Sequence, residues 1–228
     1  LTKTEDCPSN VFATLNPLDN YYLGGTFSMG NNRVATIGNR ETFTTSTLGM
    51  NSGKWYFETY ASSSSYDDRI GISAVPSTSN TYHLGSGAYA YAYSQSDGKI
   101  YNNNSGSSYG NNWSSTDGKY IGCYLDLDNN KIYFNIDGVV QNSGTGFSIT
   151  PASSTSSGFY HFAVGEKHSS YYSLFHTNFG NGSFGSTALT GTTYSDNNNQ
   201  GIFKYNPSGT FDGTTKHFLA LSTKGLNL

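Results

Sequence analysis

Between residues 120 and 136 the chain alternates with a period of two. Ile121, Cys123, Leu125 and Leu127 are separated by Tyr120, Gly122, Tyr124, Asp126 and Asp128, and Ile132, Phe134 and Ile136 resume the pattern after Asn129-Asn130. Alternation of this kind puts apolar side chains on one face of a strand and polar ones on the other. An Asn-Asn pair tolerates the positive φ of a tight turn, so the stretch predicts a β-hairpin. Asp137-Gly138 predicts a second turn, leading into Val139 and Val140.

The same period recurs elsewhere. Trp55, Phe57 and Thr59 share one face of Lys54-Trp55-Tyr56-Phe57-Glu58-Thr59-Tyr60, and Ile70 and Ile72 pair in Arg69-Ile70-Gly71-Ile72-Ser73. Tyr89, Tyr91 and Tyr93 alternate with Ala88, Ala90 and Ala92, one bulky face against one small face. Further strands are expected at 159–164 and 172–179. Turn signals every 8 to 12 residues or so complete the layout of an all-β sandwich.

Composition excludes the competing classes. Gly, Ser, Asn and Thr dominate, which leaves little material for long helices and rules against an all-α fold. Disordered chains are poor in aromatics and strongly charged, whereas this one carries 19 Tyr and 14 Phe with a net charge of −3. That charge also lacks the basic footprint nucleic acid requires, so no nucleic-acid partner is expected. No apolar run approaches the roughly 20 residues that cross a bilayer, so no membrane insertion is expected. The first ten residues do not have a signal peptide's layout, and without an initiator Met the chain reads as a processed or partial product. Of the two cysteines, Cys123 lies on the apolar hairpin face as a small core residue and Cys7 lies in an irregular segment, so they read as two thiols and not as a bridge.

Texture divides the chain into three. Residues 1–30, with Pro8, Pro17 and Gly24-Gly25, read as an extended N-terminal arm; residues 31–185 carry the sandwich; residues 186–228 read as a C-terminal extension.

Six segments in order resemble a SPRY (B30.2-like) domain. They are Gly53-Lys54-Trp55-Tyr56-Phe57-Glu58, Ile70-Gly71-Ile72, Ser96-Asp97-Gly98-Lys99-Ile100-Tyr101, Ile121-Gly122-Cys123-Tyr124-Leu125-Asp126-Leu127-Asp128, Ile132-Tyr133-Phe134-Asn135-Ile136-Asp137-Gly138-Val139 and Asn178-Phe179-Gly180. The resemblance implies a bent antiparallel β-sandwich whose loops bind other proteins without catalysis. The flanks resemble segments that bracket SPRY-like domains in structural proteins of tailed bacteriophages. They are Cys7-Pro8-Ser9-Asn10, Phe12-Ala13-Thr14-Leu15-Asn16-Pro17-Leu18, Phe203-Lys204-Tyr205-Asn206-Pro207 and Leu219-Ala220-Leu221-Ser222-Thr223-Lys224-Gly225-Leu226. Residues 208–217 depart from that form as an insertion. This second resemblance implies a fibre, tail or capsid-surface protein, found in the virion after assembly in the host cytoplasm. Its expected partners are other virion proteins, further copies of itself, and a host cell-surface glycan or protein.

The constellations that resemble catalytic ones have simpler readings. Asp126 and Asp128 alternate as a glycosidase pair would, yet they precede a tight turn and read as solvated turn residues. Asp126, Asp128, Asn130 and Asp137 have calcium-loop spacing, but Lys131 stands where Gly is needed and the following residues alternate as a strand. Gly180, Gly182 and Gly185 form a Gly-x-Gly-x-x-Gly after a strand, but no helix pattern follows. His161 and His176 fall on strands as hydrogen-bonded structural residues, and His168 falls in a loop. No cofactor and no metal are expected.

The tyrosines remain. Tyr and Trp offer rigid amphipathic contact area, and the densest such stretch is residues 82–113, among Gly, Ser and Asn. Tyr89, Tyr91, Tyr93 and Tyr101 read first as strand residues packed in the sandwich. The ligand-binding candidates are Tyr109 and Trp113, expected to be exposed in the loop 102–116, with Tyr101 and Tyr82 beside them. The leading expectation is therefore a non-enzymatic virion protein that assembles through its arms. A free-standing peptide- or glycan-binding module is the alternative, and a polysaccharide-cleaving enzyme ranks third.

Overall fold

The period-two stretches become strands in the computed structural model, which describes residues 10–62, 67–113, 118–168, 170 and 172–227. One sheet is built on β4 (Lys54–Ala61) and β9 (Lys119–Asp126), paired antiparallel along their full lengths from Lys54 opposite Asp126 to Ala61 opposite Lys119. Beside β9 lies β10 (Lys131–Ile136), flanked by β11 (Val139–Val140) and β12 (Phe147–Ser148). Beside β4 lie β14 (Leu174–Asn178), β2 (Arg33–Ala35) and β1 (Thr26–Ser28). The second sheet runs β3 (Phe43–Thr45), β13 (His161–Glu166), β5 (Asp68–Ser73), β6 (Ala90–Ser94), β7 (Lys99–Asn102) and β8 (Ser105–Ser108).

The hairpin forms in the expected register, with Ile121 opposite Ile136 and Cys123 opposite Phe134. Asn130 takes φ of 54°, and four residues, 127–130, make the connection. Asp137 and Gly138 both adopt positive φ, 49° and 84°, the mirror-image turn whose twist matches a two-residue hairpin.

The principal core lies between the sheets. Trp55 and Phe57, Ile121, Cys123 and Leu125, and Ile132 and Phe134 face Ile70 and Ile72, Tyr91 and Tyr93, and Phe162 and Val164. Cys123 is a buried free thiol that burial pushes well above its ordinary range, while Cys7 lies outside the described residues. The small face of β6 packs Ala90 and Ala92 with Phe43, Leu84 and Ala163 in a second cluster outside that sheet.

The flanking segments fold back onto the sandwich. Ala13, Leu15 and Leu23 enter the principal core, and β1 and β2 extend the first sheet. Past residue 182 come three two-stranded ribbons. These are β15 (Ser183–Phe184) with β16 (Thr187–Ala188), β17 (Tyr194–Ser195) with β18 (Ile202–Phe203), and β19 (Ser208–Phe211) with β20 (Thr214–His217). The last strand, β21 (Leu219–Ala220), pairs parallel with β4 at Trp55 and Tyr56, on the edge that β14 leaves free.

This segment covers the outer face of the first sheet. Tyr56, Tyr124 and Tyr133 point away from the principal core, and Phe203, Phe211, Phe218 and Ala220 bury them in a third cluster. Phe211 sits 4.8 Å from both Tyr124 and Tyr133, centroid to centroid. Polar clasps hold the cover down: Asp196 accepts from the amides of Gln200, Gly201 and Ala220, and Glu58 accepts from those of Lys204 and Tyr205. Burial raises the Glu58 carboxyl to about 7 against those hydrogen bonds. The two flanks also meet each other, Ala13 N–H donating to Leu221 O at 2.8 Å and Thr223 N–H to Val11 O at 2.9 Å.

Candidate functional site

The structure places the four candidate residues in three different settings. Trp113 is 2% exposed and packs in the principal core near Tyr93. Tyr109 is 7% exposed, its ring edge-on to Tyr93 at 5.7 Å and to Phe134 at 5.9 Å. The expectation that these two project from an exposed loop is corrected: the chain after β8 crosses the open end of the sandwich and plugs both rings into it. Tyr109 also completes the hydrogen bonding of β10. Phe134 N–H faces the gap between β11 and β12, where no strand supplies a carbonyl, and donates instead to the Tyr109 hydroxyl oxygen at 3.2 Å.

Tyr101 lies on β7 of the second sheet and Tyr82 in the loop before β6, and both are half-buried. Tyr82 packs against Phe43 as a lid on the small-residue cluster. Tyr101 covers Arg69, whose guanidinium lies 4.1 Å from the ring centroid and is fully buried. Arg69 also reaches Asp67 at 3.1 Å and the Leu84 carbonyl at 3.2 Å, and Tyr101 donates to Asp97 at 2.8 Å. His83 beside it is pushed down to about 4 by burial and by Arg69. These contacts staple the 76–89 loop to the sheet, so Tyr101 and Tyr82 act first in packing.

Further along the same sheet two buried carboxyl groups are register neighbours, Asp68 on β5 and Glu166 on β13. Ser173 Oγ contacts Asp68 Oδ1 and lies 3.0 Å from Glu166 Oε2. Its single proton serves only one of them; given to Asp68, it leaves Glu166 to be held as the acid donating to Ser173. Burial, reinforced by the Asp68 charge, raises Glu166 to about 8, in line with that arrangement.

The surface feature nearest the predicted loop is a groove of about 420 Å³ between residues 109–111 and 139–143. Gln141 bridges its walls, accepting from Asn111 N–H at 3.1 Å and donating to Val139 O at 2.8 Å. Val139 stands on its lip, 66% exposed. Asn142, Ser143 and Gly144 follow with successive positive φ of 52°, 51° and 77°. For the two non-glycine residues this costs about 1 kcal/mol each, the sort of strain that persists where loops are shaped for contact. The sequence signal for this groove is a β-branched residue directly after an Asp-Gly turn, and its exposure emerges only in the fold.

The two acids of the hairpin, Asp126 and Asp128, fall in unlike settings. Asp126 is corrected from a solvated turn residue to a fully buried one: Lys216 Nζ lies 2.9 Å from its Oδ2 and also 2.8 Å from the Tyr133 hydroxyl, and Asn129 donates to it twice. Asp128 remains exposed and pairs with Lys54 at 2.5 Å. The Asp126 carboxyl is thus closed off from solvent while that of Asp128 faces it. Among the described residues no group of three His, Cys, Asp or Glu side chains is placed to hold a metal ion. His161 is hydrogen-bonding as expected, its Nδ1 2.9 Å from Ser46 O, whereas His176 sets its ring 6.1 Å from Tyr60 in a surface cleft.

Comparison with known proteins agrees with this architecture. No curated protein matches the chain in sequence. The SPRY domain of human HERC1 shares its fold, with a TM-score of 0.52 at 15% identity over 72% of this chain and 96% of that one. The profile of the SPRY domain matches residues 54–175, more than half of the 228-residue chain. The matched residues hold the two central strands β4 and β9 and most of the second sheet, and the chain belongs to the SPRY domain family.

Proposed function

We propose that this protein is a non-catalytic interaction module of a tailed-phage virion, which takes a protein partner in the groove between residues 109–111 and 139–143. SPRY domains are typically protein–protein interaction modules. The observation that carries the assignment to this groove is the exposed Val139 beside the strained turn at Asn142 and Ser143, an apolar anchor next to polar groups already fixed in conformation. The virion setting rests on the likeness of the flanking motifs to those of phage structural proteins. Residues 10–30 and 186–227 are engaged with the protein's own sandwich, which favours assembly, including self-association, through the loop face over assembly through free arms.

The test is native mass spectrometry of the protein alone and of purified particles, with wild type and Val139→Arg compared. Val139→Arg is expected to leave the melting temperature within about 1 °C, since the side chain faces water, and to lower copies per particle several-fold. Full incorporation of the variant would refute the groove, and absence of the wild type from particles would refute the virion setting.

A further inference from the structure

A cleft of about 310 Å³ opens on the outer face of the first sheet, between the strands and the residues that follow Ser183. Three adjacent strands each contribute one side chain to its floor. His176 on β14 is the register partner of Tyr60 on β4, which is in turn the partner of Tyr120 on β9. The two tyrosine rings lie 4.7 Å apart at 42°, so they present a shallow trough and not a closed stack. Phe184 closes one side, 5.0 Å from Tyr120. Thr187 and Thr190 set exposed hydroxyls on the rim, opposite Lys204. Gly185, at φ of 60°, lets the β15–β16 turn pass close to the His176 ring, where any Cβ would sit 2.8 Å from Nδ1.

The charge in this cleft has one sign. Lys204 Nζ lies 4.8 Å above the Tyr120 centroid, and among the described residues no carboxylate comes within ion-pair distance of it. The two nearby acids are engaged: Glu58 lies buried beneath, holding the amides of Lys204 and Tyr205, and Asp137 is held by Lys119 at 2.7 Å. Arg33, the register partner of His176 on β2, adds a second positive charge on that side. An aromatic trough with hydroxyls on one rim and an unneutralised ammonium on the other suits a ligand with an apolar face, several hydroxyl groups and a negative charge.

We propose that this cleft binds an acidic sugar residue, a uronate or sialate, whose C–H face stacks on Tyr60 and Tyr120 while its carboxylate meets Lys204. The volume sits at the small end of the ~300–1,000 Å³ typical of ligand sites, which suits a single residue of a longer glycan. Lys204 is preorganised for this: its main chain is fixed by Glu58 while its side chain rests on a ring and is already partly desolvated. The site is separate from the loop groove, so its failure would leave the protein-binding reading untouched.

The experiment is an NMR amide-shift titration of the full chain with four probes: sodium D-glucuronate, N-acetylneuraminate, D-glucose and sodium benzoate. At least one of the two acidic sugars is expected to give saturable shifts centred on residues 60, 120 and 184–190, and which of the two binds tighter identifies the source. Glucose should bind at least ten-fold more weakly. Lys204→Met keeps the main-chain bond to Glu58 and should leave melting unchanged while weakening the acidic sugar ten-fold or more. Tyr120→Ala, checked for folding by the same spectra, should abolish saturation. Equal binding of glucose would overturn the role of the charge, and equal binding of benzoate would overturn the sugar. Absence of saturable shifts, or shifts centred on Val139 and Gln141, would overturn the site.

Discussion

Removing the single oxygen of Tyr109 tests whether this side chain is part of the framework or part of a recognition surface. Tyr109→Phe keeps the ring that packs on Tyr93 and Phe134, so no cavity opens. It removes the acceptor that Phe134 N–H uses at 3.2 Å, in a position where neither β11 nor β12 supplies another. A buried amide left without an acceptor costs about 1–3 kcal/mol, and a central figure of about 2 kcal/mol corresponds to a melting point lower by about 4–8 °C in a domain of this size. In urea the midpoint should fall by about 0.7 M at a slope of about 3 kcal/mol/M, with the slope unchanged because the same surface is exposed on unfolding. Hydrogen exchange gives a local readout, since the Phe134 amide should lose protection out of proportion to its neighbours. Tyr109→Ala should cost more, about 3–5 kcal/mol, because a cavity is added to the lost bond. A Tyr109→Phe variant with unchanged midpoint and an unchanged Phe134 exchange rate would refute the framework role.

Two further perturbations probe the buried charges. Lys216→Met strips the partner from Asp126, which is fully buried and among the described residues keeps Asn129 and a Lys54 contact at 3.8 Å; a loss of about 3 kcal/mol is expected in thermal unfolding, with Asp126→Asn in the same chain recovering part of it. Glu166 holds its proton to about pH 8 when folded and releases it near its ordinary value of 4.5 when unfolded, so in that window the folded state binds more protons and stability falls as pH rises. The slope reaches up to about 1.4 kcal/mol per pH unit from this group, and Glu166→Gln should flatten it. The clean window is pH 7 to 8, because up to about 7 Glu58, itself raised to about 7 by burial, adds a slope of the same sign, and below 6.5 His83, whose folded value is lowered to about 4, contributes one of opposite sign. A Glu166→Gln curve parallel to wild type across that window would refute the protonated carboxyl.

What could be read in the sequence was whatever repeats with a period of two against a single neighbour. Trp55 and Phe57, the 121–136 hairpin and the Tyr91/Ala92 alternation all announce a face, and each faces as expected. Tyr109 and Trp113 carry no such signal, since each is a lone ring among Gly, Ser and Asn, and their burial depends on where the crossing of the sandwich's open end places them. The covering role of residues 186–227 was hidden for a related reason: Phe203, Phe211 and Phe218 follow no period, and their target exists only once three strands have aligned. The clue lay in the sheet itself. Tyr56, Tyr124 and Tyr133 put aromatic rings on the face opposite the apolar one, and a strand apolar on both faces needs a cover on each. The aromatic cleft draws residues from five distant stretches of chain, and no local pattern foretells such a meeting.

The pairing of the two flanks carries a mechanical consequence. Val11 and Thr223, then Ala13 and Leu221, lie side by side in antiparallel sense, so the chain enters and leaves the domain at one spot. Tension applied through both flanks peels these hydrogen bonds one after another instead of shearing them together. The outermost contact yields at low force, and the load then passes inward to β21 on β4, where the parallel pairing is pulled along its length. A load through both flanks therefore meets the outer seam first and only then the two-residue pairing of β21 on β4.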